Sequence, residues 1–571
     1  MASKDDITYF AEADFRNKKT RFGIKRIDRA RHMYIIGKTG MGKSTLLENM
    51  AIQDIQNGEG VAIMDPHGSM AEKLLDYVPE SRIKDVIYFA PFDSDFPISF
   101  NVMEDVGYDK RHLVASGLMS AFKKIWQDAW SGRMEYILTN TILALLEYPE
   151  ATLLGVNRML SDKEYRKRVV ENISDPAIKS FWTDEFAKYN ERYMQEAGDA
   201  IKNKVGQFTA NPVIRNVIGQ PHSSFDIRKL MDEKKILIMN LSKGRIGEQN
   251  SNLLGSMLVT KIYLAAMSRA DVLSQEMAAL PDFYFYVDEF QSFANESFAD
   301  ILSEARKYKL NLTIAHQYVE QMPEEVRAAV FGNIGTMAIF RIGSYDAEIF
   351  EKEFAPEFTS EDIVNLGFAQ IYIKLMIDGI GSKPFSAQTL PPIEEPPQSF
   401  KDKIIENTRQ GYARPRSLVE EEIKKWHEPI EHPKPVYHGE HGKGHQKEES
   451  REEKRQQERR EESPRRPFTT SQHSPQTQPR HNTQSKVPDR VTERIPLAHL
   501  THKKDKGPSA GNKLVLKEAL EKALAGRGAT APSADGTHVP QSSPSAKEEK
   551  PVVQDAGRKE VSEEELKKIL E

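Results

Sequence analysis

Eight consecutive residues, Gly37-Lys38-Thr39-Gly40-Met41-Gly42-Lys43-Ser44, fit the pattern G-x-x-x-x-G-K-[ST] between an apolar run, Met33 to Ile36, and helical periodicity that begins near Lys43. Such a loop works only at the junction of a buried strand and a helix. Its glycines let backbone N–H groups converge on a phosphate, and the helix N-terminus adds partial positive charge. The motif therefore commits the chain to an α/β architecture. Lys43 is expected to reach the β- and γ-phosphates, Ser44 to coordinate Mg²⁺, and Thr45 to support the same turn, which makes ATP with Mg²⁺ the expected ligand pair.

The sheet that this motif demands is written along the chain. Short β-rich runs bounded by turn residues fall at Met33 to Ile36, Val61 to Met64, Val86 to Phe89, Ile236 to Asn240, Phe283 to Val287, Leu312 to Ala315, Met337 to Phe340 and Gln370 to Leu375. They alternate with helical stretches, which predicts a mostly parallel sheet covered by helices on both faces. Between about Asp105 and Phe225 the strands stop and helical periodicity takes over, so an all-helical subdomain is expected inside the sheet domain. The organisation read from this is an N-terminal segment at 1–30, the two parts of one ATPase domain at 31–104 and 226–395, the helical insertion at 105–225, and a tail at 396–571.

The run Phe283-Tyr284-Phe285-Tyr286-Val287 ends in Asp288-Glu289. Two acids at the C-terminal tip of a buried strand read as a Walker B pair, with Asp288 holding the Mg²⁺ shell and Glu289 polarising the attacking water. The next strand ends in His316-Gln317, where the Gln317 amide is placed to sense the γ-phosphate and His316 reads as structural. Arg306, in the stretch Ala305-Arg306-Lys307-Tyr308, is the first candidate for an arginine finger reaching a neighbouring subunit's nucleotide, and Arg341 is the second. Asp65, in Asp65-Pro66-His67-Gly68, reads more simply as closing a turn than as an outer ligand of the metal. A basic turn, Lys243-Gly244-Arg245, is a weaker candidate for contact with a phosphate backbone, and Lys123-Lys124 read as part of a solvated face.

Composition narrows the class. The chain has no cysteine, which excludes disulfides and Cys-based metal sites and suits a reducing compartment. A net charge of −5 means that any nucleic-acid contact has to be local. No run approaches the roughly 18 apolar residues of a membrane span, so a cytoplasmic protein without a direct transmembrane anchor is expected, peripheral at the inner membrane face if it meets a membrane partner. Beyond Leu390-Pro391-Pro392 the sequence turns to Glu, Lys, Arg, Gln, Ser and Pro, predicting a disordered charged tail. Two helical islands are expected in it, Leu516 to Leu524 and the extreme C-terminus, where Ser562 and Glu565 form a capping box.

In order and context, His32-Met33-Tyr34-Ile35-Ile36 before the P-loop, Asp65-Pro66-His67-Gly68, Phe100-Asn101, the helical insertion, Val287-Asp288-Glu289-Phe290 and Ala305-Arg306-Lys307-Tyr308 resemble the type IV secretion coupling proteins. These are conjugative DNA-transfer ATPases of the FtsK/HerA superfamily. Over about residues 20 to 392 the resemblance implies a RecA-like P-loop NTPase bearing an all-α domain, a homo-hexameric ring, and DNA passed through a central channel. It implies nucleotide roles for Gly42, Lys43, Ser44, Asp288, Glu289 and Gln317, and a finger role for Arg306. It also implies membrane-embedded secretion partners on which a chain without its own anchor would dock.

Two further readings share the nucleotide chemistry but not the cargo: a secretion ATPase that recruits and moves protein, and a cytoplasmic HerA-like DNA-processing motor. An ATP-gated scaffold without turnover is disfavoured by the intact Asp288-Glu289 pair.

Overall fold

The computed structural model describes residues 6–15, 18–295 and 297–429. They build an eleven-stranded sheet from β1 (Ile7–Phe15), β2 (Lys18–Lys25), β3 (Met33–Ile36), β4 (Gly60–Asp65), β5 (Val86–Phe89), β6 (Ile236–Asn240), β7 (Phe283–Val287), β8 (Leu310–His316), β9 (Thr336–Ile339), β10 (Gln370–Lys374) and, after the small ribbon β11 (Met376–Ile377) and β12 (Ile380–Gly381), β13 (Phe385–Thr389). The order is β2-β1-β13-β10-β9-β3-β8-β7-β4-β6-β5. From β9 to β5 every neighbouring pair is parallel, whereas β10, β13, β1 and β2 continue the sheet antiparallel.

All eight strands expected from sequence are present, four with the expected ends and four with ends shifted by one or two residues. They are legible because a parallel strand covered on both faces has to be apolar nearly throughout: β3, β4, β6, β7 and β8 are buried at every residue. The hairpin of β1 and β2 has no counterpart among the expected strands. Its register shifts between Tyr9 and Ala11, so the alternation that would announce a half-buried strand is broken there.

Between the adjacent strands β5 and β6 the chain makes a series of helices, among them Arg111–Ile125, Gly132–Leu146, Leu154–Ser161, Lys163–Asn172 and Glu191–Ala210. Asp162, Asp175, Asn211 and Asp226 each cap a helix with a side-chain oxygen that accepts backbone N–H groups. The first of the helices packs on Glu248–Met267 from the sheet domain so closely that a Cβ at Gly117 would lie 2.3 Å from Thr260. No helix among the described residues is long and apolar enough to cross a membrane.

The expected start of a disordered tail at 396 needs correction. Helices Lys401–Tyr412 and Arg416–His427 extend the ordered chain. Each buries a sparse stripe, Ile404 with Thr408 and Val419 with Ile423, which a Glu/Lys/Arg-rich sequence hides. The Thr408 hydroxyl donates to Val86 O and accepts from Tyr88 N, both at 3.3 Å, and so covers the edge strand β5. Val419 and Ile423 form a cluster with Leu154 of the insertion, and the Arg158 guanidinium lies over the rings of Tyr165 and Trp426 at 4.8 and 5.0 Å. The two helices thus strap the sheet edge to the insertion. The expected islands at 516–524 and beyond Ser562 lie outside the described residues.

Candidate functional site

Because β3 to β9 run parallel, their C-terminal ends share one edge of the sheet, and the site gathers there. The loop after β3 enters helix Lys43–Gln56. Gly40 and Gly42 have φ of 78° and 111°, conformations that L side chains resist. A Cβ at Gly37 would come within 2.5 Å of Phe340, so the loop also needs its first glycine to pass the end of β9. The buried Lys43 ammonium donates to the carbonyls of Gly37 at 2.6 Å and Lys38 at 3.2 Å. Burial lowers its pKa, and the charges of Glu289 and Asp288 oppose that shift.

Strand β7 delivers the acids. Asp288 Oδ2 accepts the Ser44 hydroxyl at 3.5 Å, bringing together two oxygen donors of the kind a hard divalent cation takes. Burial and the neighbouring charges of Glu289 and Asp65 push the Asp288 carboxyl up to about 6. A bound cation would offset that unfavourable charge, so these two residues fit Mg²⁺. Glu289 sits at φ 47° in the left-handed region, which is strained for a residue with a Cβ. Burial acts to raise its pKa, but contacts with His67, Gln317 and Gln291 outweigh this and hold it down at about 2.

Those contacts come from three elements. Gln317, at the tip of β8, donates its amide to Glu289, and its carbonyl accepts the Thr39 hydroxyl at 3.0 Å. Gln291 donates to the other carboxylate oxygen. His67 Nε2 stands 3.6 Å from Glu289, an ion-pair distance, and this carboxylate raises the imidazole pKa. Strand β8 lies between β3 and β7, so Gln317 bridges the P-loop strand and the Walker B strand. Asp65 accepts the backbone N–H groups of His67 at 2.7 Å and Ala71 at 3.0 Å, closing the turn that presents His67.

The structure thus brings together the P-loop, Ser44, Asp288, Glu289 and Gln317. Arg306 is elsewhere. It is exposed on the turn before β8, at the opposite end of that strand, where its charge adds to the effect of burial in lowering His32 to about 4. Arg341 follows β9 beside the loop, and its carbonyl accepts the Lys38 N–H at 2.8 Å. His316 is fully buried, hydrogen-bonded to Tyr34 at 3.1 Å and lowered by burial to about 3, in keeping with a structural residue. In the basic turn, Arg245 is paired with Glu72 at 3.1 Å and lies over the Phe92 ring, while Lys243 N donates to Pro66 O.

Sequence reading missed the ring of donors around Glu289 and misplaced Lys124. That residue is not simply on a solvated face: its ammonium donates to the Gln291 carbonyl at 2.6 Å, and burial lowers it to about 7. The insertion therefore touches the turn whose side chain holds Glu289. No local pattern marks that contact, because the partners are 167 residues apart.

The family described as type IV secretion-system coupling protein DNA-binding domain matches residues 23–357. Among solved structures, the chain is similar to the unbound monoclinic form of the bacterial conjugative coupling protein TrwBdeltaN70, at 15% identity and a TM-score of 0.50, covering 66% of this chain and 89% of that one. The plasmid coupling protein TrwB in complex with ADP and Mg²⁺ is similar at 15% identity and a TM-score of 0.50, with 66% and 90% covered. These likenesses establish a shared fold. No curated protein sequence matches the chain.

Proposed function

The chain belongs to the family of type IV secretion-system coupling protein DNA-binding domains, and on that premise we propose that it is an ATP-driven DNA translocase. It works as a homo-hexamer in conjugative DNA transfer, on the cytoplasmic side of the membrane, and docks on separate membrane-embedded secretion partners. The observation that carries catalysis is the Glu289 carboxylate, ionised at neutral pH, adjacent to Asp288 and held by amides from two different turns.

In this reading Gly37 to Thr45 cradle the phosphates, and Lys43 exchanges its loop carbonyls for phosphate oxygens. Ser44 and Asp288 would hold Mg²⁺, which when bound neutralises charge on the β- and γ-phosphates. Glu289 orients the attacking water. A carboxylate has about four acceptor sites, and the two glutamine amides occupy two of them, leaving room for that water beside His67. Gln317 connects the loop that touches phosphate to the group that holds water, as a γ-phosphate sensor must. Arg306 is too distant to serve its own subunit's site, so its proposed finger role is toward a neighbour in the ring, while Arg341 lies beside the loop of its own subunit.

The test is ATP hydrolysis by the purified chain with and without single- and double-stranded DNA at low and moderate salt, beside Glu289→Gln. DNA-stimulated turnover that weakens with salt and disappears in the variant is expected. Turnover indifferent to DNA would overturn the DNA motor and favour protein cargo.

A further inference from the structure

Parallel order fixes the direction in which a nucleotide lies across this edge. The groups that serve the terminal phosphate, Asp288, Glu289 and Gln317, come from β7 and β8 on one side of β3. The base must therefore leave on the other side, over β9, β10 and β13. On that side one turn is bonded to the P-loop itself. Ala369 N donates to Met41 O at 3.2 Å, and the Ala369 carbonyl accepts Thr389 N at 2.8 Å. Gly367 N donates to Gln370 Oε1 at 2.8 Å, and Gln370 N to Gly367 O at 3.3 Å. Ala369 is held at φ 60°, a conformation that alanine disfavours, so the surrounding bonds and not local preference set the shape of this turn.

At its tip stands Phe368, 71% exposed, next to the residue bonded to the loop. Gly42 of the loop packs close against this turn, since a Cβ there would lie 3.9 Å from Ala369 and 3.3 Å from the Phe340 ring. A rigid turn tied to the phosphate loop thus presents an aromatic face on the side where the base emerges. We propose that Phe368 is the stacking platform for the nucleotide base, a binding residue for a purine ring. This rests on the nucleotide reading above and adds to it where the base sits. Stacking on an aromatic face tolerates any base, so the platform supplies affinity more than discrimination.

The full-length chain, Phe368→Ala and Phe368→Trp are titrated in the presence of Mg²⁺ with ATP and with inorganic tripolyphosphate, which carries the phosphates without a base. Phe368→Ala is expected to weaken ATP by about tenfold, equivalent to about 1.4 kcal/mol, while tripolyphosphate binding stays the same and Phe368→Trp keeps ATP affinity. Unchanged ATP affinity in Phe368→Ala would overturn the proposal. So would equal losses for both ligands, which would show a damaged loop, or a loss confined to Tyr345→Ala, which removes another exposed aromatic. If the unaltered chain binds neither ligand, the nucleotide reading falls as well. If it binds both equally well, only the platform falls.

Discussion

Gln317 donates its amide to the Glu289 carboxylate while its carbonyl accepts the Thr39 hydroxyl at 3.0 Å, so a single side chain spans the glycine-rich loop and the acid proposed to orient water. Replacing it with alanine cuts this link and leaves every phosphate ligand in place. Gln317→Ala is expected to lower kcat by about 10- to 100-fold with ATP affinity within about twofold of the parent, as for a group that acts in the transition state. Single-turnover hydrolysis alongside equilibrium binding checks this, and an equal loss in both would assign Gln317 to binding.

Asp288 has a pH signature. Its folded pKa of about 6 lies above the ordinary carboxylate value, so the folded chain binds more protons than the unfolded chain between about pH 4 and 6, and stability falls as pH rises through that window. Asp288→Asn removes the buried charge. The nucleotide-free variant should be more stable than the parent by up to ~3 kcal/mol at pH 7.5 and about equal to it at pH 4. Denaturant unfolding at the two pH values measures the difference. The same variant should lose the steep fall in Mg²⁺-nucleotide affinity expected for the parent on acidification through pH 6.

Lys124 tests whether the helical insertion speaks to the catalytic turn. Its folded pKa of about 7 is below the usual lysine value, so stability contributed through this group rises with pH from about 7 to 10. Lys124→Met should flatten that slope and free the Gln291 carbonyl. Turnover is expected to fall about threefold to tenfold with nucleotide affinity unchanged. An unaltered kcat would mean that the contact only packs the two parts together.

Truncation separates the contribution of the strap from that of the residues beyond it. A chain ending at Pro429 keeps every buried residue of helices Lys401–Tyr412 and Arg416–His427 and should retain ATPase activity and melting temperature. Ending at 395 removes Ile404, Val419 and Ile423 from their contacts, each worth roughly 1.5 to 3 kcal/mol when fully buried. That shorter chain should melt lower and aggregate more readily. Equal melting of the two truncated chains would show that the strap adds no stability.

For Arg306, the prediction concerns mixtures. Arg306→Ala should keep ATP binding and lose most oligomer-dependent turnover. Mixing it with Glu289→Gln subunits should restore part of the activity, because each supplies what the other lacks at a shared boundary. No recovery in verified mixed oligomers would remove the finger role.

What could be read from the sequence was whatever local constraint writes locally. The phosphate loop needs glycines at fixed spacing, and Asp288-Glu289 ends a strand whose burial on both faces leaves only apolar residues before it. What could not be read depends on distant parts of the chain meeting. Lys124 looks like any cation at a helix end until Gln291 arrives beneath it, and His67 looks like a turn residue until Glu289 faces it at 3.6 Å. The first hairpin escapes notice because one bulge disturbs its alternation, and the strap because two buried residues per helix make a faint stripe among charges.

The strap also decides how copies of this chain can meet. A sheet border with free N–H and C=O groups invites another strand, yet one border of this sheet, β5, lies under helix Lys401–Tyr412, and the other, β2, carries exposed Lys18, Lys19 and Arg21. Neither border offers itself for extension from molecule to molecule. A ring of the kind proposed here would be joined through helices and turns, whose contacts could loosen and re-form with each nucleotide without tearing a continuous ladder of backbone bonds.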